Sequence, residues 1–445
     1  MIFHRLNLLA KKIFPEWIYG FLIGKWDPQG FKKYFHNTNW LFISHAVTFV
    51  SSFLIFAVVA RYLGPENLGK LNYAQSLVAI FSIFAGLGID QILKRDLIAN
   101  PEKENEIIGT AILSKLLFGS LTFIVLVLTA ITIETDPVLT LLIAISGFTF
   151  ILNPIGVLGI LFDSKVASKY NAYITITTAT VLPLVKILII VFDKGIIYFA
   201  LTLLLEAIIA GIILVYVYKK VYKKSIKSLS FNFGILKQLL KDSWPLLLAG
   251  LSATIYSRID QVMIQHLLNS TSVGLYAGAT KITTIVQTFP GIIIVSLFPA
   301  IINAKKLNYE KYLDRLKSLM IFSGGFVTLL IVPIVILAPI IINIILGDQF
   351  VDSVSVLRIH LWTSLGIILV AIIQNYLIAE NLGKIFFIAT LIGAVINIIL
   401  NIILIPIFGI NGAAMATFIS YLLTIFSILL FKKPRKDLKY AILKK

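Results

Sequence analysis

Seven ionisable residues stand inside stretches apolar enough to lie in a membrane: Asp90, Lys115, Lys186, Glu206, Arg258, Asp260 and Lys281. A charge at that depth is costly, so each is a functional candidate unless snorkelling or a structural pair accounts for it. Four are cations and three are carboxylates, an excess that suits an anionic head group. Arg258 can hold a phosphate as a bidentate fork, and Lys115, Lys186 and Lys281 can hold one as point charges. Asp260 and Glu206 are the candidates for binding a proton or cation. Asp90 lies near the end of its stretch, where a cap or interface role is the simpler account.

Arg258 and Asp260 are two positions apart, which sets them about 200° apart on a helix, so they cannot pair with each other. Thr254, Arg258, Gln261 and Gln265 follow helical spacing and make one polar stripe that reads as a cavity wall. Similar stripes run through Asn72, Gln75 and Ser82, and through Tyr276, Thr280, Thr283 and Gln287. Polar stripes also join helices to one another, which accounts for Asn397 and Asn401 as well as a substrate path does. Arg61, just beyond the first apolar stretch, is placed to meet an anionic group at the mouth of such a cavity.

The elements that must carry these residues are membrane-length helices. Hydrophobic residues make up 58% and charged residues 13% of the 445, and the mean hydropathy is +0.95, far from the balance of a soluble domain. Apolar stretches at 40–60, 71–93, 107–131, 138–162, 172–192 and 196–218 precede a second set at 244–268, 274–301, 318–346, 360–379, 385–405 and 410–431. Each is long enough, at about 1.5 Å per residue, to cross a hydrocarbon core of about 30 Å. Alternating barrel-type strands are absent, so the fold class is an all-α polytopic membrane protein of about 12 transmembrane helices.

The net charge of +18 would suggest nucleic acid in a soluble protein. With the amino terminus placed in the cytoplasm, however, 31 of the 39 Lys and Arg fall in cytoplasmic regions. Only Arg61, Lys70, Lys194 and Arg358 fall in outside loops. The charge is therefore topology, by the positive-inside rule, with both termini in the cytoplasm of a multi-pass cell-membrane protein. With no cysteine, thiolate metal sites and disulfides are excluded, and neither a metal nor another cofactor is expected.

Residues 1–39 read as a cytoplasmic amphipathic segment, with Ile13, Phe14, Trp17, Ile18, Phe21 and Leu22 near helical spacing beside basic residues. Residues 219–243 hold seven lysines against Asp242 alone and form a basic cytoplasmic linker. It falls after the sixth span, so the chain divides into an N-terminal half at 40–218 and a C-terminal half at 244–431, followed by a basic tail at 432–445. An even number of spans in each half makes the repeats parallel. Their register is visible at an offset of 205, where Leu63 and Gly69 correspond to Leu268 and Gly274, and at 215, where Thr202 meets Thr417. Pro154, Pro183, Pro290, Pro333 and Pro339 fall inside spans, and Pro290-Gly291 is the hinge candidate.

Over residues 38–431 the chain resembles the polysaccharide biosynthesis family of flippases, within the multidrug, oligosaccharidyl-lipid and polysaccharide (MOP) exporter superfamily. The residues that carry the resemblance are Asn37-Thr38-Asn39-Trp40, Ala60-Arg61-Tyr62-Leu63-Gly64-Pro65-Glu66-Asn67-Leu68-Gly69 and Gly86-Leu87-Gly88-Ile89-Asp90-Gln91, then Arg258-Ile259-Asp260-Gln261 and Gly409-Ile410-Asn411-Gly412-Ala413-Ala414. The resemblance implies two six-helix lobes around a central cavity and translocation of a polyprenyl-phosphate- or pyrophosphate-linked glycan by alternating access. It implies membrane lipids and a glycan polymerase or ligase as partners, no nucleic acid, and a monomer. A cation-coupled drug or metabolite antiporter of the same superfamily is the alternative, and it should show an acidic cavity. An enzyme is disfavoured, because no outside loop could hold a catalytic subdomain, no Asp-x-Asp pair occurs and no nucleotide-binding glycine loop is present.

Overall fold

The computed structural model describes residues 28–305 and 308–443, and among these the regular structure is helical throughout. The expected amphipathic segment falls, through residue 27, outside the described residues, and 28–39 belongs to the first helix. That helix, α1, runs from Pro28 to Gly86 over 59 residues and bends at Gly64, whose φ of 70° and ψ of 173° leave the helical region. Glycine tolerates the positive φ, and Pro65 lacks the N–H that would continue the helical ladder. The expected loop at 61–69 is thus one sharp bend inside continuous helix, and α1 supplies two apolar stretches.

The second stretch stops earlier than expected. Leu87 and Gly88 adopt positive φ, and a short helix α2 (Asp90–Ala99) follows. Next come α3 (Glu104–Ile133), α4 (Pro137–Gly147), α5 (Thr149–Leu152) and α6 (Val157–Ser164). The single helix expected at 138–162 is broken, because Pro154 sits in a 3-10 turn at Asn153–Gly156. By contrast, the helix Ser270–Lys305 passes through Pro290 unbroken. Of the five prolines expected inside spans, Pro154 interrupts its helix, whereas Pro183, Pro290, Pro333 and Pro339 lie within continuous helices.

The chain continues through α7 (Lys169–Val191), α8 (Ile196–Lys220), α9 (Phe233–Leu267), α10 (Ser270–Lys305), α11 (Tyr309–Leu346), α12 (Ser353–Ala379), α13 (Gly383–Phe408), α14 (Ile410–Leu429) and α15 (Lys432–Leu443). Among the described residues, nine helical stretches are long and apolar enough to cross a membrane, and the first contains both arms of α1. Lipid-facing side chains such as Leu329, Ile336 and Ile344 on α11 are about two-thirds exposed, which only a hydrocarbon surround makes favourable. The protein is a multi-pass, all-helical membrane protein.

Gly69 and Gly274, the two positions that correspond by register, meet where α1 crosses α10. A Cβ on Gly69 would lie 1.7 Å from the Ser270 carbonyl oxygen, and one on Gly274 would lie 1.8 Å from that of Pro65. Only glycine on both sides lets the two backbones approach so closely. The same end is tied by Arg61, which donates from Nε to Ile345 O at 3.1 Å, from Nη2 to Asn343 O at 3.1 Å and to Ile344 O. A guanidinium there satisfies the orphan carbonyls at the carboxyl end of α11. Lys70 pairs with Asp136 at 2.9 Å and holds the Asp136 carboxyl below the usual carboxylate range.

The opposite, lysine-rich end is held by two buried glutamates. Glu104 lies between Lys165 at 2.6 Å and Lys224 at 2.7 Å, and Glu380 lies between Lys305 and Lys433, both at 2.6 Å. The linker packs along α3, where Asn232 Nδ2 donates to Glu106 at 2.8 Å and the Asn232 N–H to Thr110 Oγ1 at 2.9 Å. Asn232 also caps α9 by accepting from the N–H groups of Gly234 and Ile235. Arg95 then ties the start of α9 to α2 by pairing with Asp242 at 2.6 Å.

Candidate functional site

A cavity of about 570 Å³ opens between α1, α7, α8, α9 and α10. Five of the anion-binding candidates line it: Gln75 from α1, Lys186 from α7, Arg258 and Gln261 from α9, and Lys281 from α10. The coupling candidate Glu206, on α8, lines it as well. These residues lie up to 206 positions apart in the sequence, so packing of the five helices is what assembles the group.

The charges within the cavity do not cancel. Glu206 is the electrostatic neighbour of Lys186, and Lys281 is the neighbour of both Arg258 and Lys186. Among the described residues, no carboxylate comes within ion-pair distance of Arg258, Lys186 or Lys281. The Lys281 ammonium instead lies 5.4 Å from the centre of the Phe56 ring, an aromatic partner that leaves its charge uncompensated. Three cations facing one carboxylate give the cavity a positive field that the low-dielectric walls preserve.

Three anion-binding candidates lie elsewhere. Lys115 is ion-paired with Asp90 near the lysine-rich end, so its contact is structural. Arg61 is spent on the carboxyl end of α11, and Gln349 Nε2 donates to its carbonyl at 2.8 Å. Gln265 accepts from Ser270 Oγ at 3.0 Å and lines a smaller pocket with Glu66, Lys70 and Glu134. The stripe on α9 therefore serves the cavity only at Arg258 and Gln261. Gln261 also accepts from Ser76 Oγ at 2.8 Å, tying α9 to α1.

Asp260 faces away from Arg258, as the helical spacing requires. It is buried, and it accepts from Tyr276 Oη at 2.7 Å, Asn401 Nδ2 at 2.7 Å and Thr417 Oγ1 at 2.5 Å. Asn401 reaches on to Asn397 Oδ1 at 3.2 Å. Its donors are neutral side chains of α10, α13 and α14. Among the described residues no cation pairs with this carboxylate, so hydrogen bonds from neutral donors alone offset its desolvation cost.

The polar face of α7 escaped the sequence reading. Thr175 and Thr178 line the cavity with Lys186, and their helical spacing with Asn171 was the signal. Tyr73 was missed too. It is buried beside the crossing of Gly69 and Gly274, donates to Glu134 and lies 3.1 Å from His266 Nε2.

The profile of the polysaccharide biosynthesis protein family matches residues 35–305. A probable low-salt glycan biosynthesis flippase of Haloferax volcanii is 31% identical over 170 residues, which is 37% of this chain and 35% of that protein. The chain spans no more than half the length of the first curated relatives it matches. Among solved structures, the lipid II flippase in an inward closed conformation superposes with a TM-score of 0.71 at 16% identity, over 92% of this chain and 90% of that one. A multidrug-resistance transporter of the MATE family and MOP superfamily, in an inward-facing conformation, gives 0.68 at 15% identity, over 88% and 96%. At such identities these two likenesses establish the fold alone.

Proposed function

The chain belongs to the polysaccharide biosynthesis protein family, and from that premise we propose that it is a transporter of the MOP superfamily, a flippase for glycans linked to a polyprenyl phosphate or pyrophosphate. The observation that carries the proposal is the cavity in which Arg258, Lys281 and Lys186 face a single carboxylate, Glu206. An arginine without a carboxylate partner, set in a low-dielectric wall, favours an anion that brings its own negative charge. A phosphate or pyrophosphate head fits that requirement, whereas a cationic drug would meet repulsion. The lipid tail stays in the bilayer while the head occupies the cavity.

In this reading α1 makes two crossings, α3 one, α4 to α6 together one, and α7 to α14 one each, giving twelve. They form two lobes, 40–218 and 244–431, and the lysine-rich end faces the cytoplasm. The contact of Gly69 with Gly274 closes the outer end, so the cavity is loaded from the cytoplasmic side, and rocking of the lobes exposes it outside. Asp260, or Glu206 within the cavity, couples the rocking to a proton or cation. The chain works in the cytoplasmic membrane as a monomer, and a glycan polymerase or ligase outside removes the cargo.

The test is flipping of a fluorescent polyprenyl pyrophosphate oligosaccharide in proteoliposomes. A hydrogen bond to a charged group contributes about 1.5–3 kcal/mol, so Arg258→Ala is expected to lower the rate at least about tenfold and the pair Arg258→Ala/Lys281→Ala further. Lys115→Ala serves as a control outside the cavity. Flipping by the double variant at the wild-type rate overturns the proposal.

A further inference from the structure

The hydroxyl groups of the cavity have all committed their protons. On α1, Thr48 Oγ1 donates to Ser44 O at 2.9 Å and Ser52 Oγ to Phe49 O at 3.2 Å. On α7, Thr175 Oγ1 donates to Asn171 O at 3.0 Å and Thr178 Oγ1 to Thr175 O at 3.2 Å. Ser51 Oγ bridges the two helices by donating to Ala179 O at 2.5 Å. The same pattern continues on α10, where Thr280 donates to Tyr276 O at 3.0 Å and Thr284 to Thr280 O at 2.9 Å.

A hydroxyl has one proton and two lone pairs. Once the proton is given to a backbone carbonyl, what it offers a ligand is an acceptor. Threonines on the lipid face, such as Thr129 and Thr132, make the same local bond, so the bond by itself marks only a satisfied side chain. What differs is the setting: five such oxygens from α1 and α7 gather on one wall of a cavity. These hydroxyls offer a phosphate or carboxylate, which has acceptors only, no donor unless it wins a proton from a carbonyl, and at Ser51 that also breaks the bridge between α1 and α7; the donors on these two helices include Gln75 and Lys186, the latter with Glu206 as its electrostatic neighbour. A group rich in O–H donors is matched directly.

From this division we infer that the α1/α7 wall is a subsite for the uncharged, hydroxyl-bearing sugars of the cargo, and that Arg258 and Lys281, on α9 and α10, hold its phosphate end. The cargo therefore lies across the cavity with its sugars toward one lobe and its charge toward the other. The inference rests on the flippase reading and adds a requirement to it: free sugar hydroxyls contribute to binding.

The experiment measures binding to the full chain in lipid nanodiscs of three probes: polyprenyl pyrophosphate alone, the same lipid carrying a neutral oligosaccharide, and its per-O-methylated form. Wild-type protein is expected to bind the hydroxyl-bearing form at least about tenfold more tightly than the other two, since each hydrogen bond contributes a few-fold. Thr48→Val/Thr175→Val/Thr178→Val is expected to erase most of that preference while binding the glycan-free lipid unchanged, which also certifies its fold. Equal binding of the oligosaccharide and its methylated form by wild type, or a preference retained in the variant, overturns the inference alone. Failure of wild type to bind any of the three overturns the flippase reading and this inference together.

Discussion

Arg258 and Asp260 show how far two neighbouring charges on one helix can diverge in role. Arg258 opens to the cavity, while Asp260 turns into the packing of α10, α13 and α14 and is held by Tyr276, Asn401 and Thr417. A buried carboxylate must recover its desolvation cost from hydrogen bonds or from a bound cation. Asp260→Asn keeps the shape and an acceptor oxygen while deleting the charge. If Asp260 couples the transport cycle, flipping by this variant should no longer respond to an imposed proton or sodium gradient that accelerates wild type at least severalfold. A variant that responds as wild type does would sink the coupling role. The spacing of the two residues announced their separation, but the neutral partners of Asp260 come from positions as distant as 417, which spacing cannot reveal.

The element that matters most is the bent α1. The bend at Gly64 carries the arm after it against α10, so that Gly69 and Gly274 touch with no room for a side chain. Non-bonded heavy atoms settle about 3.5–4.0 Å apart, and a Cβ placed 1.7 Å from a carbonyl oxygen must drive the helices apart by about 2 Å. Gly69→Leu is therefore expected to lengthen the distance between spin labels at residues 66 and 271 by at least that much and to slow flipping. Unchanged label distances would remove the crossing as the closure of that end. The two glycines were visible as a register match, and their contact was not, because a helix crossing depends on tilt and rotation rather than on the local run of residues. The break in the fourth apolar stretch was visible as Pro154, yet sequence alone did not distinguish it from Pro290, which α10 absorbs.

At the scale of the whole molecule, the asymmetry of Lys and Arg between the two ends predicts orientation. The chain has no cysteine, so single cysteines report position without background. Lys194→Cys should react with a membrane-impermeant thiol reagent in intact cells, and Lys227→Cys only after permeabilisation; the reverse pattern would invert the topology. By itself the sequence determined the helical class, the apolar stretches, the difference in charge between the ends and the set of ionisable residues within the spans. These follow from composition and periodicity, which are local sums along the chain. Tertiary structure alone decided which of those residues lie together. Lys115 and Lys186 look alike in sequence, each a single cation in an apolar run, but Lys115 meets Asp90 while Lys186 opens into the cavity. The difference arises from the rotation, bend and crossing of helices whose contacts join residues far apart in the chain, and no local property encodes those contacts.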